Sequence, residues 1–393
     1  MNALVFTSLF PNNVWRHHGV FIKERTVRVA RLPGMNLRVV APVPYFPALK
    51  LGPRYLYSQV AARESVEGLD VHHPRYAMIP KVGMRWHGWM MYRSVLPYVE
   101  RVQREFDFDL IDAHYIYPDG FAAVEIGRRL QRPVVVSARG SDIHQFGAIP
   151  AIRGLLVRTL TQAQAVIAVS RSLRDGMVAL GVPAEKIAVI PNGVDSAKFR
   201  PSPREKAREA LGLPPGRMIL SVGNLTMGKG FDRIVRALPV LASDHSLGDV
   251  QLVIVGEGGY RDELSALIAS LGLGGRVRLQ GDVHHEELRM WYNAADVFCL
   301  ATRYEGWPNV ILEALACGTP VVATPVGGIP DIVTSEELGL LVEGDARDLA
   351  GALAESLRRS WDRDSIARYA SRHSWEQAAE SVKHVFDSVI ARA

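Results

Sequence analysis

Cysteine is scarce in this chain: two among 393 residues, Cys299 and Cys317. That leaves no material for a disulfide framework. Both sit in apolar runs, where a free thiol acts as a small hydrophobe, so a reducing, cytoplasmic setting is expected. Nowhere do about 18 apolar residues follow one another, which argues against a membrane-crossing helix. The opening MNALVFTSLF lacks a basic leader and a small-residue cleavage site, and reads as a first strand rather than a signal peptide. Low-complexity tracts are missing, and with 48% apolar residues the composition excludes a disordered or fibrous chain. The paired histidines His17 and His18, His72 and His73, and His284 and His285 lack the i, i+4 spacing of a helical metal site. They are taken as surface or core polar residues. No D-x-D triplet is read as holding a divalent ion, and no metal ligand set is assigned.

What is present is a length beyond the reach of one hydrophobic core. A prior of roughly 150 residues per domain gives two or three, with two as the working number. Charge is divided unevenly: residues 1–197 carry 24 Lys/Arg against 15 Asp/Glu, and the remainder carries 22 against 26. The basic residues of the first half are scattered rather than clustered with stacking aromatics, so nucleic acid is not the expected partner. An anionic membrane surface or a phosphorylated acceptor fits the surplus better.

Short apolar runs bounded by turn residues alternate with longer amphipathic stretches: NALVFTS, VFIKERTVRVARL, LRVVAPV, then DLIDAHY, FAAVEIGRRL, PVVVSAR and AVIAVS. Such alternation predicts a parallel sheet with helices on both faces. The pattern restarts at MILSVGNL, with helices expected over about Phe231 to Leu241 and Gly259 to Leu271 and in VILEALACG. The interruption around Pro191, Gly193, Pro201 and Pro203 is the expected linker, which gives domains of 1–197 and 198–374. Two doubly wound domains joined this way are expected to bind ligands at the C-terminal ends of their strands, in a shared cleft. The segment from 375 to 393 predicts an amphipathic helix with Val382, Val385, Phe386 and Val389 on its apolar side, and packing back on the first domain is one option for it.

The most informative stretch is ATRYEGWPNVILEALACGTPVVATPVGGIPDIV, residues 301 to 333. A strand ends in a loop with Glu305 and Gly306; Pro308 and Asn309 then open a helix with Glu313 in about its first turn. Two carboxylates so spaced can face one ligand, and Glu313 suits a bidentate hydrogen bond to ribose hydroxyls. Amides at a helix start favour a phosphate; Pro308 has none to give, which leaves Gly306, Trp307, Asn309 and Val310. A helix-start glutamate and an ordinary surface one would also account for a bare pair of this spacing. In SVGNLTMGKGFD, residues 221 to 232, Lys229 is placed to reach a diphosphate, although a lone loop lysine is usually solvated. VIVGEGGYRDE, residues 253 to 263, is a strand and Gly-rich turn containing Glu257, equally well read as a plain strand-to-helix turn.

Together these strings resemble the family 4 glycosyltransferases, the E-x7-E group with the GT-B fold, and the resemblance extends over nearly the whole chain. It implies an α/β protein of two Rossmann-like domains facing a central cleft. It further implies that Glu313 holds the donor ribose, that Glu305 contacts the transferred sugar, and that the turn with Glu257 and the LQGDV segment border the nucleobase. The family has Arg where this chain has Asn224, so one positive charge of the expected phosphate clamp is missing; Asn224 keeps a neutral hydrogen bond and Lys229 keeps the charge.

In the first half, SLFPNNVWRHHGVF places Gly19 between the first strand and its helix, where a glycine either lets a ligand lie against the backbone or meets a turn requirement. The resemblance implies a loop here against donor phosphate and acceptor. DLIDAHYIYPDG ends a strand in His114, a position more often structural, which matches the family's active-site histidine on the acceptor side. SARGSDIHQF supplies Arg139 and Asp142 toward the acceptor, with Arg139 as a candidate phosphate contact. The PNGVD turn is mainly structural. Finally, KVGMRWHGWMMYRSV, residues 81 to 95, interleaves Trp86, Trp89, Met90 and Met91 with Lys81, Arg85 and Arg93, a pattern suited to a lipid interface or to a buried helix.

The expectation is therefore a retaining transfer of a sugar from a nucleoside diphosphate sugar to an acceptor hydroxyl, with no metal and no bound cofactor. A UDP-sugar is favoured over a GDP-sugar. The acceptor is expected to be a saccharide or lipid-linked saccharide, and the setting cytoplasmic and peripheral on the membrane. The alternatives are a GT-B-fold sugar-nucleotide epimerase and an inactive sugar-nucleotide-binding protein.

Overall fold

The structure is a computed structural model, and it describes residues 1–50, 52–79, 83–144, 147 and 149–392. Lys81 of the Trp-rich stretch, and Gln145 and Phe146 of the SARGSDIHQF segment, lie outside the described residues. The chain divides into two compact units, Met1–Asn192 with Trp375–Ala393, and Gly193–Ser374, a division that falls slightly before 197.

The first unit is built on an eight-stranded sheet. From one edge to the other its strands are Ile187–Val189, Ala165–Ala168, Val134–Ala138, Leu110–His114, Asn2–Phe6, Asn36–Val40, Leu69–His72 and Arg63–Val66. All neighbours run parallel except the last pair. The central strands are buried along their length, as in Val134–Ala138, which is why they read as unbroken apolar runs rather than alternating ones. Strand order reverses between Asn2–Phe6 and Leu110–His114, the position at which sheets of this kind generally bind ligands.

The terminal helix Trp375–Ile390 belongs to this unit. It buries Trp375, Ala378, Ala379, Val382, Phe386 and Val389 against Ala3, Val29, Met35, Leu110, Val135, Ile167 and Ile190, with Val385 partly buried beside them. Each large side chain so enclosed contributes about 1.5–3 kcal/mol, enough to hold the chain end on this sheet.

The second unit has a six-stranded parallel sheet in the order Val277–Gly281, Val250–Val255, Arg217–Val222, Val297–Leu300, Val321–Ala323, Gly339–Leu341. Helix Phe231–Ala242 buries Phe231, Ile234, Val235, Leu238 and Leu241, the i, i+3, i+4 stripe of a sheet-covering helix. The reversal of order lies between Arg217–Val222 and Val297–Leu300. The loops that follow those two strands carry Lys229 and Glu305. Cys299 and Cys317 are free and buried, and burial pushes both thiols up, as expected of packing residues.

Candidate active site

At the order reversal of the second unit the two loops are stitched together. Arg303 N donates to the Gly228 carbonyl at 2.9 Å, and Thr302 Oγ1 donates to the same oxygen at 3.1 Å. This brings Lys229 Nζ to Glu305 Oε2 at 2.6 Å, with the two side chains 30% and 14% exposed. The pair is part-buried, so it is held by something between an exposed pair, worth about 0–1 kcal/mol, and a sealed one. A ligand bearing two phosphates can therefore take the ammonium from Glu305 and leave the carboxylate free for hydroxyl groups. Gly327 closes the loop from behind: its φ is +59°, and a Cβ there would stand 1.7 Å from the Glu305 carbonyl oxygen. Only glycine lets this backbone pass, so the position of Glu305 depends on it.

Glu313 is in the second turn of helix Asn309–Ala316, not the first, and is 7% exposed. Its Oε1 faces His285 Nε2 at 2.9 Å, and its Oε2 accepts from Tyr292 Oη at 2.9 Å. Burial, reinforced by the adjacent Glu313 carboxylate, pushes the Tyr292 phenol well up, so it remains a donor. Lys198 Nζ lies 2.9 Å from His285 Nδ1 on the other side of the ring. The helix begins after Pro308 with no side-chain cap, so its positive end falls at Asn309 and Val310. Gly306 and Trp307 are buried, and the Trp307 indole N–H is enclosed without a partner. Asn224 is exposed. Glu257, half exposed, pairs with Arg261 at 3.1 Å.

The residues expected in the first unit have quite different surroundings. Arg25, from helix Val20–Ala30 and 2% exposed, donates to both oxygens of Asp112 at 3.1 and 3.2 Å and to Ser137 Oγ at 2.9 Å. Arg139 Nη2 donates to His114 Nδ1 at 2.5 Å, and its Nη1 donates to Asn192 Oδ1 at 3.1 Å. Because arginine only donates, Nδ1 is the acceptor, and the His114 proton sits on Nε2, 3.1 Å from Asp112 Oδ2. Burial, with Arg25 and Arg139 close by, pushes His114 to about 3, against the pull of Asp112. It is a neutral ring, fully enclosed. Burial works to raise Asp112, yet the imidazole and Arg25 beside it hold it below the usual carboxylate range.

Asp142 is also fully enclosed, and its carboxylate accepts from the amides of Ile116, Arg139, Gly140 and Ile143. That carboxylate orders a loop. Gly19 follows a long loop rather than the strand end at Phe6; its φ is +70°, and a Cβ would meet the Leu9 carbonyl oxygen at 2.2 Å. A turn requirement is thereby present at Gly19. Asp119 went unnoticed in the sequence: wholly buried, it accepts from Ser8 N at 2.7 Å and from Ser8 Oγ and Thr7 Oγ1, tying the end of the first strand across the order reversal. Burial pushes it up to about 7 against those hydrogen bonds.

Among the described residues no group of three or more His, Cys, Asp or Glu is arranged to hold a metal. The chain does contain two D-x-D triplets. Asp109 accepts from Asn2 N at 2.7 Å at the N-terminal edge of the first sheet, and Asp107 pairs with Arg132. Asp362 caps the helix Arg363–Ser371, which contains Asp364. His72 contacts Tyr98 and Asp70, and His73 contacts Glu64, so this pair is core polar, as expected; His285 is not, because it faces Glu313.

A doubly wound pair of nucleotide-type sheets, with an open lysine–carboxylate pair at the second order reversal, defines a protein of the GT-B glycosyltransferase class. Residues 203–379 match the family described as glycosyl transferases group 1, and residues 34–198 match Glycosyltransferase Family 4. A D-inositol 3-phosphate glycosyltransferase of Catenulispora acidiphila is 30% identical, over 72% of this chain and 73% of that protein. The chain belongs to the family 4 glycosyltransferases. A putative teichuronic acid biosynthesis glycosyltransferase of Bacillus subtilis is 27% identical over 99% of this chain and 95% of its own length. Anabaena HepE, solved in complex with UDP, shares the fold with a TM-score of 0.74 at 21% identity, covering 99% of this chain and all, 100%, of that one.

Proposed function

We propose that this glycosyltransferase moves a sugar, with retention at the anomeric carbon, from a nucleoside diphosphate sugar to a hydroxyl of a saccharide or lipid-linked saccharide in polysaccharide synthesis. The observation that carries the reading is the open Lys229–Glu305 pair at the order reversal of the second unit. Sugar transfer builds positive charge on the donor carbon and negative charge on the departing diphosphate. Lys229 and the amides that open helix Asn309–Ala316 meet the second charge, so that leaving-group stabilisation is supplied by protein groups without a divalent ion. Glu305 orients the sugar, and Glu313 takes the ribose. His114 and Arg139 belong to the acceptor side, where the buried neutral ring acts by fixing Arg139.

A UDP-sugar is the favoured donor, in keeping with the UDP held by the Anabaena protein. A surface polysaccharide as product agrees with the name of the Bacillus relative. The cytoplasmic face of an anionic membrane is the favoured setting. No helix among the described residues is long and apolar enough to cross a membrane. Among the described residues, seven of the thirteen exposed large hydrophobics, Tyr45, Leu49, Leu56, Ile79, Met84, Trp86 and Trp89, fall between positions 45 and 89 of the first unit. Arg85 stacks on Trp86 at 5.0 Å and Arg93 on Trp89 at 5.8 Å, so cations and indoles are offered side by side, as a lipid interface requires.

The test is transfer from UDP-, GDP- and ADP-sugars to lipid-diphosphate saccharides with and without a chelator, reading the product anomer by NMR. Retention with chelator-resistant turnover supports the proposal. Inversion, or turnover without any acceptor as in an epimerase, would end it.

A further inference from the structure

Glu313 does not stand alone. Lys198, His285 and Tyr292 form a chain of polar contacts that ends on its two oxygens. The direction of every proton in that chain follows from the donors. An ammonium group has three protons and no lone pair, so at 2.9 Å it must donate to His285 Nδ1. The ring proton is then on Nε2 and is donated to Glu313 Oε1 at 2.9 Å. Tyr292 Oη donates to Oε2 at 2.9 Å. Turning the ring over would replace both nitrogens with C–H groups, one against the ammonium and one against the carboxylate. Phe199, 2% exposed, packs edge-on against both rings, with centroids 5.2 Å from His285 and 5.9 Å from Tyr292, and keeps them in place.

A carboxylate offers about four lone-pair directions. The two donors use one on each oxygen, which holds the carboxylate and leaves one acceptor direction on each oxygen for a further donor. That is the arrangement needed by two vicinal hydroxyls. Resting on the reading of Glu313 as the ribose carboxylate, we infer that His285, locked by Lys198 into its Nε2–H form, is a positioning residue that sets Glu313 to accept both ribose hydroxyls of the donor. Lys198 and His285 thus act on the nucleotide without touching it. The four charged or titratable groups facing one another here are Lys198, His285, Glu313 and Tyr292, with the Cys317 thiol, pushed up by burial, behind them.

The experiment is calorimetric titration of the full chain with UDP and with 2′,3′-dideoxy-UDP. In H285Q and in K198M, UDP affinity is expected to fall about fivefold to tenfold, the scale of a misaligned hydrogen bond to a charged group. Dideoxy-UDP affinity should hold, and K198R, which keeps a donor toward Nδ1, should restore UDP binding. If both ligands weaken alike, or neither does, the inference is overturned, because the residues then act on the whole fold or on nothing. E313A separates the two levels: if it leaves the preference for UDP over dideoxy-UDP intact, the ribose assignment itself fails. If E313A removes that preference while H285Q and K198M keep it, only the positioning role fails.

Discussion

In the second unit the ion pair at the C-terminal edge of the sheet is only part-buried, Lys229 sharing a single contact with Glu305, although Glu313 near it is buried. In the first unit the corresponding edge seals its charges in: Arg25, Asp112, His114 and Arg139 are all at most 9% exposed and bonded mainly to one another. The same topology has been used in two ways. An open pair costs little to separate and can be redirected to a ligand. A sealed network is costly to disturb, since removing one partner strands a charge in a low-dielectric interior. On the proposed function, chemistry that needs mobile charge belongs to the second unit, and the first contributes a rigid platform.

Four results would break or sharpen that contrast. The largest effect is expected from R25M, which leaves Asp112 buried without its counter-charge and should cost about 3–5 kcal/mol in chemical denaturation. A stable R25M protein that had lost transfer activity would reverse the assignment of roles. Next, K229A should lower turnover by about 10²–10³ while shifting stability by less than about 1 kcal/mol. Equal damage to folding would make Lys229 structural.

The third concerns Asp119. Its folded value is raised to about 7, so the native state holds a proton that the unfolded chain gives up near pH 4. The stability this contributes is fully present below about pH 4 and lost as the pH rises through about 7. Wild type should therefore lose on the order of 1–3 kcal/mol relative to D119N between pH 4 and 8; parallel profiles would show that Asp119 is ionised throughout. The smallest effect is expected on the surface: R85Q and R93Q should each weaken binding to vesicles rich in phosphatidylserine by about 1 kcal/mol, roughly fivefold, and unchanged binding would remove the membrane from the account.

The residues proposed for the donor side were legible in the sequence because each lies in a short local string. The string from Ala301 to Val333 holds Glu305, Glu313 and Gly327, and the strand-loop-helix reading around Lys229 follows from local apolar runs and glycines. The sheets were legible for the same reason, since strands buried on both faces leave unbroken apolar runs. The sealed network was not. It joins Arg25, Asp112, Ser137, Arg139 and Asn192, which only the strand order brings together. Nor was the place of His285, whose lack of metal spacing made it look ordinary; it lies in a turn before helix Leu288–Ala294, which carries Tyr292, and no periodicity links the two to Glu313. Asp142 is the opposite case: a carboxylate in the right segment that the fold spends on backbone amides.

The most direct measurement is thermal unfolding of the wild type, K229A and E313A with saturating UDP-, GDP- and ADP-sugars, because a ligand bound only by the folded state raises the midpoint. The account predicts a clear rise for one nucleotide class, UDP first, in the wild type, and a much reduced rise in both variants. No rise with any sugar nucleotide, or an undiminished rise in K229A and E313A alike, would contradict it.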